Sequence, residues 1–178
     1  MKRIVLIFGL IAGGILSVMM MITMPFHDQF GWETGAIIGY TTMVLAFLMI
    51  FVGTRSYRDN VAGGKIGFGR AFAVGILITA VASACYVATW EVLYYNFLPD
   101  FADKYAQAEV KRVTAAGGTQ AQIEATVKKM ADFKVMYDKP LYNVSLTFLE
   151  PLPVGLLITL ITAGVLSRKR KPEALAAS

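Results

Sequence analysis

The sequence predicts an all-α membrane protein of four transmembrane helices, both termini cytoplasmic, with an extracytoplasmic helical hairpin between helices three and four. Three observations carry this. The 178 residues are 56% hydrophobic and 16% charged, with a mean hydropathy of +0.58, against about 45–50% and about 25% in soluble domains. The apolar residues fall in long blocks of the kind that face lipid. Lys and Arg collect at the ends of those blocks, where they orient a membrane protein.

The first span is expected over residues 4–24. At about 1.5 Å per residue it crosses a hydrocarbon core of about 30 Å. Met1-Lys2-Arg3 ahead of it resembles the start of a signal peptide. The apolar run continues into Met19, Met20, Met21 and Met24 without a small-residue cleavage site, so it reads as a retained anchor. The second span is expected over 34–53, the third over 72–97 up to Pro99, and the fourth over 143–167. Residues 1–171 then form one membrane domain, with 172–178 a disordered tail. No internal repeat or low-complexity segment is visible.

Orientation follows from charge. Lys2, Arg3, Arg55, Arg58, Lys65, Arg70 and the Arg168–Lys171 cluster share one side with Asp59 and Glu173, whereas the 25–33 loop has Asp28 and Glu33 and no Lys or Arg. The first set is therefore cytoplasmic. Residues 99–140 carry near-balanced charge. Gly117-Gly118 divides them, and Thr119 with Gln122 forms a capping box for the second helix of a hairpin. Phe101, Tyr105 and Ala108, then Ile123, Val127, Met130 and Tyr137, give each helix an apolar stripe. Phe26, Phe30, Trp32, Trp90, Tyr94, Tyr95, Tyr137 and Tyr142 suit the outer headgroup boundary.

Few groups offer chemistry. The net charge of +5 and pI of about 9.4 arise from these flanking residues, so no nucleic-acid partner is expected. One Cys and one His leave no disulfide and no multi-histidine metal site. Met20, Met24 and His27 suit Cu(I) by ligand type, although methionine is also an ordinary packing residue. Cys85 reads as a small core residue. Gly63 to Arg70 lacks the spacing of a phosphate loop and reads as a cytoplasmic turn. Arg168 to Lys171 serves as a stop-transfer signal. No cofactor or metal is expected.

Small residues are candidates for helix packing: Gly9 and Gly13 in the first span, Gly35 and Gly39 in the second, and Ala80, Ala84 and Ala88 in the third. Packing within one chain and pairing of two copies are both open.

Glu91 and Glu150 are candidates for an intramembrane proton or cation site, each about 10 Å below the outer surface. Glu91 continues the Ala80, Ala84, Ala88 side. Glu150 precedes Pro151 and Pro153, which cannot donate to the carbonyls of Thr147 and Leu149. Either the fourth span is a helix broken at Glu150, as in transporters, or its helix begins at Pro151.

The segment from Gly64 through Lys65-Ile66-Gly67-Phe68-Gly69-Arg70-Ala71-Phe72 to Gly75, Pro99-Asp100-Phe101, and the stretch from Gly155 to Arg170 resemble a bacterial membrane family called domain of unknown function family 4199. The plan of four spans with a polar insert before the last is also similar. The resemblance implies this topology and a bacterial inner-membrane location, and no activity. The leading functional expectation is a non-enzymatic structural or partner-modulating membrane component. Its partners would be the lipid bilayer and another membrane protein or a second copy of itself. The alternative is a small proton- or cation-coupled transporter or channel using Glu91 and Glu150. A membrane enzyme ranks third, since no paired acid–base or nucleophilic motif is present.

Overall fold

The structure, a computed structural model, describes residues 1–26, 29 and 31–168. His27 of the copper reading, Phe30, Lys169–Lys171 of the basic cluster and the 172–178 tail lie outside the described residues. Seven α-helices are present among the described residues: α1 Lys2–Thr23, α2 Trp32–Asn60, α3 Phe68–Asn96, α4 Phe101–Ala115, α5 Gln120–Tyr137, α6 Pro140–Leu149 and α7 Leu152–Leu166. A 3₁₀ turn, Met24–Phe26, extends α1. No strand occurs among them. Four stretches are long and apolar enough to cross a membrane: Lys2–Phe26, Trp32–Asn60, Phe68–Asn96 and Pro140–Leu166. The fold is that of a multi-pass membrane protein.

The second helix continues two turns past its expected end at Gly53, and the third begins a turn before its expected start at Phe72. Both extensions carry arginine (Arg55, Arg58 and Arg70), a good helix former that does not stop a helix where lipid stops. Arg58 and Arg55 meet Asp59 there. Gly63 and Gly64, at φ of +65° and +81°, make the turn between α2 and α3.

Helix α3 is the centre of the bundle, packed against α1, α2, α6 and α7, while α1 also packs on α2 and α2 on α7. The closest of these contacts rest on absent or small side chains. On α1, a Cβ at Gly9 would lie 2.6 Å from Val81 Cβ, and one at Gly13 2.6 Å from Cys85 Cβ. One turn further, Thr89 Oγ1 donates to Ser17 Oγ at 2.7 Å. Three contacts four residues apart thus run in parallel along both helices. Gly9 and Gly13 therefore work within the chain, and half-buried Cys85 fills the space above Gly13.

The α3–α7 contact is reciprocal. A Cβ at Gly155 would lie 2.3 Å from Thr79 Cγ2, and one at Gly75 2.8 Å from Thr159 Cγ2. The two threonine hydroxyls meet between them at 3.5 Å, and Thr79 also donates to the Gly75 carbonyl. The residues involved form a short repeat: Val74-Gly75-Ile76-Leu77-Ile78-Thr79 and Val154-Gly155-Leu156-Leu157-Ile158-Thr159. The same hexapeptide pattern packs against itself in antiparallel helices, which corrects the expectation that no repeat is present.

The other small-residue candidates do not make close packing contacts within the chain. Ala84 and Ala88 are exposed and Ala80 only half-buried, because the packed face of α3 runs instead through Gly75, Ala82, Ser83 and Val87. Gly39 has nothing within 4 Å of a Cβ position, and it lines open space together with Gly35.

Helices α4 and α5 pack on each other. The capping box forms: Thr119 Oγ1 accepts from Gln122 N at 3.3 Å and Gln122 Oε1 from Thr119 N at 2.8 Å. Gly117, at φ +76°, makes the turn before it. Lys134 bonds Asp103 across the pair, and Tyr105 meets Phe133 with ring centroids 5.5 Å apart. On α4, the Arg112 guanidinium holds the Glu109 carboxyl below its ordinary pKa through a side-chain hydrogen bond. Only the ends of the apolar stripes nearest the spans, Phe101, Tyr105 and Tyr137, meet the bundle, whereas Val127 is exposed. Trp90, Tyr94 and Tyr137 are buried there and form no headgroup belt, which corrects that expectation. Phe101 stands edge-on to Trp90 at 4.6 Å, and Tyr94 to Tyr137 at 5.4 Å.

Replacing Gly155 by Val should lower stability by about 1–3 kcal/mol through overpacking against Thr79. Gly39→Ala should be neutral or stabilising by up to about 1 kcal/mol, since helix propensity is then the only change. Thermal unfolding of the two variants in detergent compares them directly.

Candidate functional site

The fourth span is broken. Helix α6 ends at Leu149 and α7 begins at Leu152, with Glu150 and buried Pro151 between them. Pro151 and Pro153 have no amide hydrogen, so the helical donors to the Thr147 and Leu149 carbonyls are missing. The helix does not begin at Pro151: α6 precedes it for ten residues. Below the break α7 lies along α2 and α3. Above it α6 packs on α3 and α5.

A cavity of about 600 Å³ lies at the level of the break between α1, α2, α3 and α6, with α4 and α5 as its roof. Its walls are apolar: Leu16 and Met20 of α1, Met24 of the 3₁₀ turn, Gly35, Gly39 and Met43 of α2, and Leu146 and Leu149 of α6. The glycines contribute by their lack of side chains. The roof brings Phe101, Tyr105, Phe133 and Tyr137, and Trp32 meets two of these rings, with centroids 5.1 Å from Tyr105 and 5.4 Å from Phe101.

Glu150 is the one Asp, Glu, Lys, Arg or His among the lining residues, and it is exposed to the cavity. The Tyr86 hydroxyl donates to its Oε2 at 3.0 Å. Tyr40, Tyr137 and Thr147 also line the cavity. Burial holds the Tyr137 phenol above its ordinary pKa, so the hydroxyl stays protonated. Behind Thr147, fully buried Asn143 anchors α6 to α3. Its Oδ1 accepts from Trp90 Nε1 at 3.0 Å and from Thr147 Oγ1 at 3.3 Å, while its Nδ2 has no partner among the described residues.

Glu91 lies elsewhere. It is half-buried on α3, does not line the cavity, and its Oε1 is buried without a hydrogen-bond partner among the described residues. No described hydrogen bond links it to Glu150, whose partner is Tyr86. Met20 and Met24 both line the cavity. Among the described residues no group of three His, Cys, Asp or Glu is placed to hold a metal ion.

Tyr86, Asn143 and Thr147 were not singled out from sequence. Tyr86 carried no signal, since its role depends on a residue 64 positions away. The other two did. Asn143, Thr147 and Glu150 stand at i, i+4 and i+7, which puts three polar side chains on one face of an otherwise apolar helix.

The chain matches the family model described as "Protein of unknown function (DUF4199)" over residues 7–168. It belongs to that family. The matched segment takes in every residue of the DUF4199 cavity named above. Neither curated proteins nor solved structures give a match. The family description names no activity, so the cavity itself is the guide to function.

In this DUF4199 chain the Tyr86–Glu150 bond should be measurable by a double-mutant cycle. Tyr86→Phe and Glu150→Gln, alone and combined, should show a coupling of about 0.5–1.5 kcal/mol in unfolding free energy. Additive losses would mean that the two side chains do not interact.

Proposed function

We propose that the protein is a non-enzymatic component of the bacterial cytoplasmic membrane that holds a hydrophobic small molecule in the cavity between α2 and α6. The observation that carries the reading is the broken fourth span. Beside the break lies a cavity within the usual size range of small-molecule sites, about 300–1,000 Å³, apolar with a few convergent polar groups. Catalysis has less support: one carboxylate bonded to a tyrosine offers no base–nucleophile pair.

Both termini are proposed to be cytoplasmic, with α4 and α5 outside the membrane on the opposite face. The Lys/Arg distribution supports this orientation. The buried aromatic contacts of Phe101 and Tyr137 with Trp90 and Tyr94 then make the two outer helices a fixed roof. Coupled transport through Glu91 and Glu150 is less well supported, because Glu91 does not line the cavity and Glu150 is bonded to Tyr86.

Two measurements test the reading. In a Cys85→Ser background, Gln107→Cys should react with a membrane-impermeant thiol reagent in intact cells, and Gly64→Cys only after lysis. The reverse pattern would invert the proposed orientation. Native mass spectrometry of gently extracted protein should show a bound hydrophobic species that is lost in Gly39→Trp, whose indole would occupy the cavity. A wild-type protein that carries no such species argues against a ligand-holding role.

A further inference from the structure

Taken as a ligand site, the reading on which this inference rests, the cavity also constrains the chemistry of its occupant. We infer that it takes a single-chain amphiphile with an ammonium head, the head set against Glu150 and the chain lying along the Met- and Leu-lined wall.

Three observations lead there. First, Glu150 is the only formally charged residue in the lining and is exposed to the cavity. Tyr86 supplies one hydrogen bond to Oε2, whereas a carboxylate accepts about four. An ammonium group brings donors and the opposite charge together, forming charge-assisted bonds. An anionic head meets like charge, and a neutral head leaves the carboxylate uncompensated in an apolar setting. Second, Tyr40, Tyr86 and Tyr137 line the same cavity, and aromatic rings favour a cation among them. Third, the size is limiting. A volume of about 600 Å³ is that of a site for a drug-sized molecule, which one alkyl chain with a small head matches.

The test uses the full chain in phosphatidylcholine nanodiscs. Trp32 lines the cavity, so quenching of its fluorescence by a brominated alkyl chain reports occupancy, and Trp32→Phe identifies the signal. Brominated dodecylammonium is compared with the matching brominated dodecanol and dodecanoate. The ammonium probe is expected to bind roughly tenfold more tightly than the alcohol, the scale of one charge-assisted hydrogen bond, and dodecanoate most weakly. Glu150→Gln should remove the preference for ammonium while the alcohol still binds. Tyr86→Phe, which keeps the carboxylate, should retain the preference.

Equal binding of ammonium and alcohol by wild type, unaltered in Glu150→Gln, would overturn the head assignment and leave the hydrophobic site standing. Absence of quenching by all three probes would overturn the site itself. Loss of ammonium binding when phosphatidylethanolamine replaces phosphatidylcholine would assign the cavity to a bilayer lipid and overturn the single-chain occupant.

Discussion

Two amide hydrogens are missing from the fourth span, at Pro151 and Pro153, and the upper half of the bundle depends on their absence. A continuous helix from Pro140 to Leu166 would keep one course along α2 and α3. With the helical donors to Thr147 and Leu149 gone, the helix is interrupted at Glu150 and Pro151; α7 below the break packs on α2 and α3, and α6 above it on α3 and α5. The cavity lies at the level of the break, and the residue at the break is its carboxylate. Backbone chemistry thus positions a side chain that helix propensity alone would have left on a regular surface.

The lower half must be rigid for such a break to have a defined result. Lipid offers no hydrophobic driving force between helices, so close packing and interhelical hydrogen bonds carry the association. The Gly75–Thr79 and Gly155–Thr159 pairs do this for α3 and α7, and Gly9 against Val81 does it for α1 and α3, a seam that Gly13 and Ser17 continue past the level of the break. Above the break, polar contacts take over: Asn143 to Trp90, Glu150 to Tyr86, and Tyr94 to Asp138 at 3.1 Å. The bundle is thus clamped through small residues at one end and through aromatic donors at the other.

The spans and the Thr119 capping box were legible because each depends on a local pattern: a run of apolar residues, or two polar side chains three apart. Gly9 and Gly13 were legible as packing residues for the same reason. Gly39, Ala84 and Ala88 make no such contact within the chain, because spacing shows that small residues share a face but not which face another helix of the chain covers. The Val-Gly-x-Leu-Ile-Thr repeat is written in the chain, but six residues are too few to stand out as a structural repeat. Glu150 was found through its prolines. Its partner Tyr86 was not, because the pairing of α3 with α6 is tertiary. Glu91 looked equivalent by depth alone, and only the rotation of α3 separates it from the cavity.

The cavity has one further consequence. Its lining includes Tyr40, Leu146 and Leu149, all exposed, so the cavity is open at that side. A solute reaching it from that side leaves the hydrocarbon phase, where partitioning has already concentrated it, and never has to shed an aqueous shell from its tail. Occupancy is then governed by mole fraction in the bilayer, so modest intrinsic contacts can fill the site at low aqueous concentration. Selectivity falls to the polar end, because every hydrophobic competitor enjoys the same enrichment.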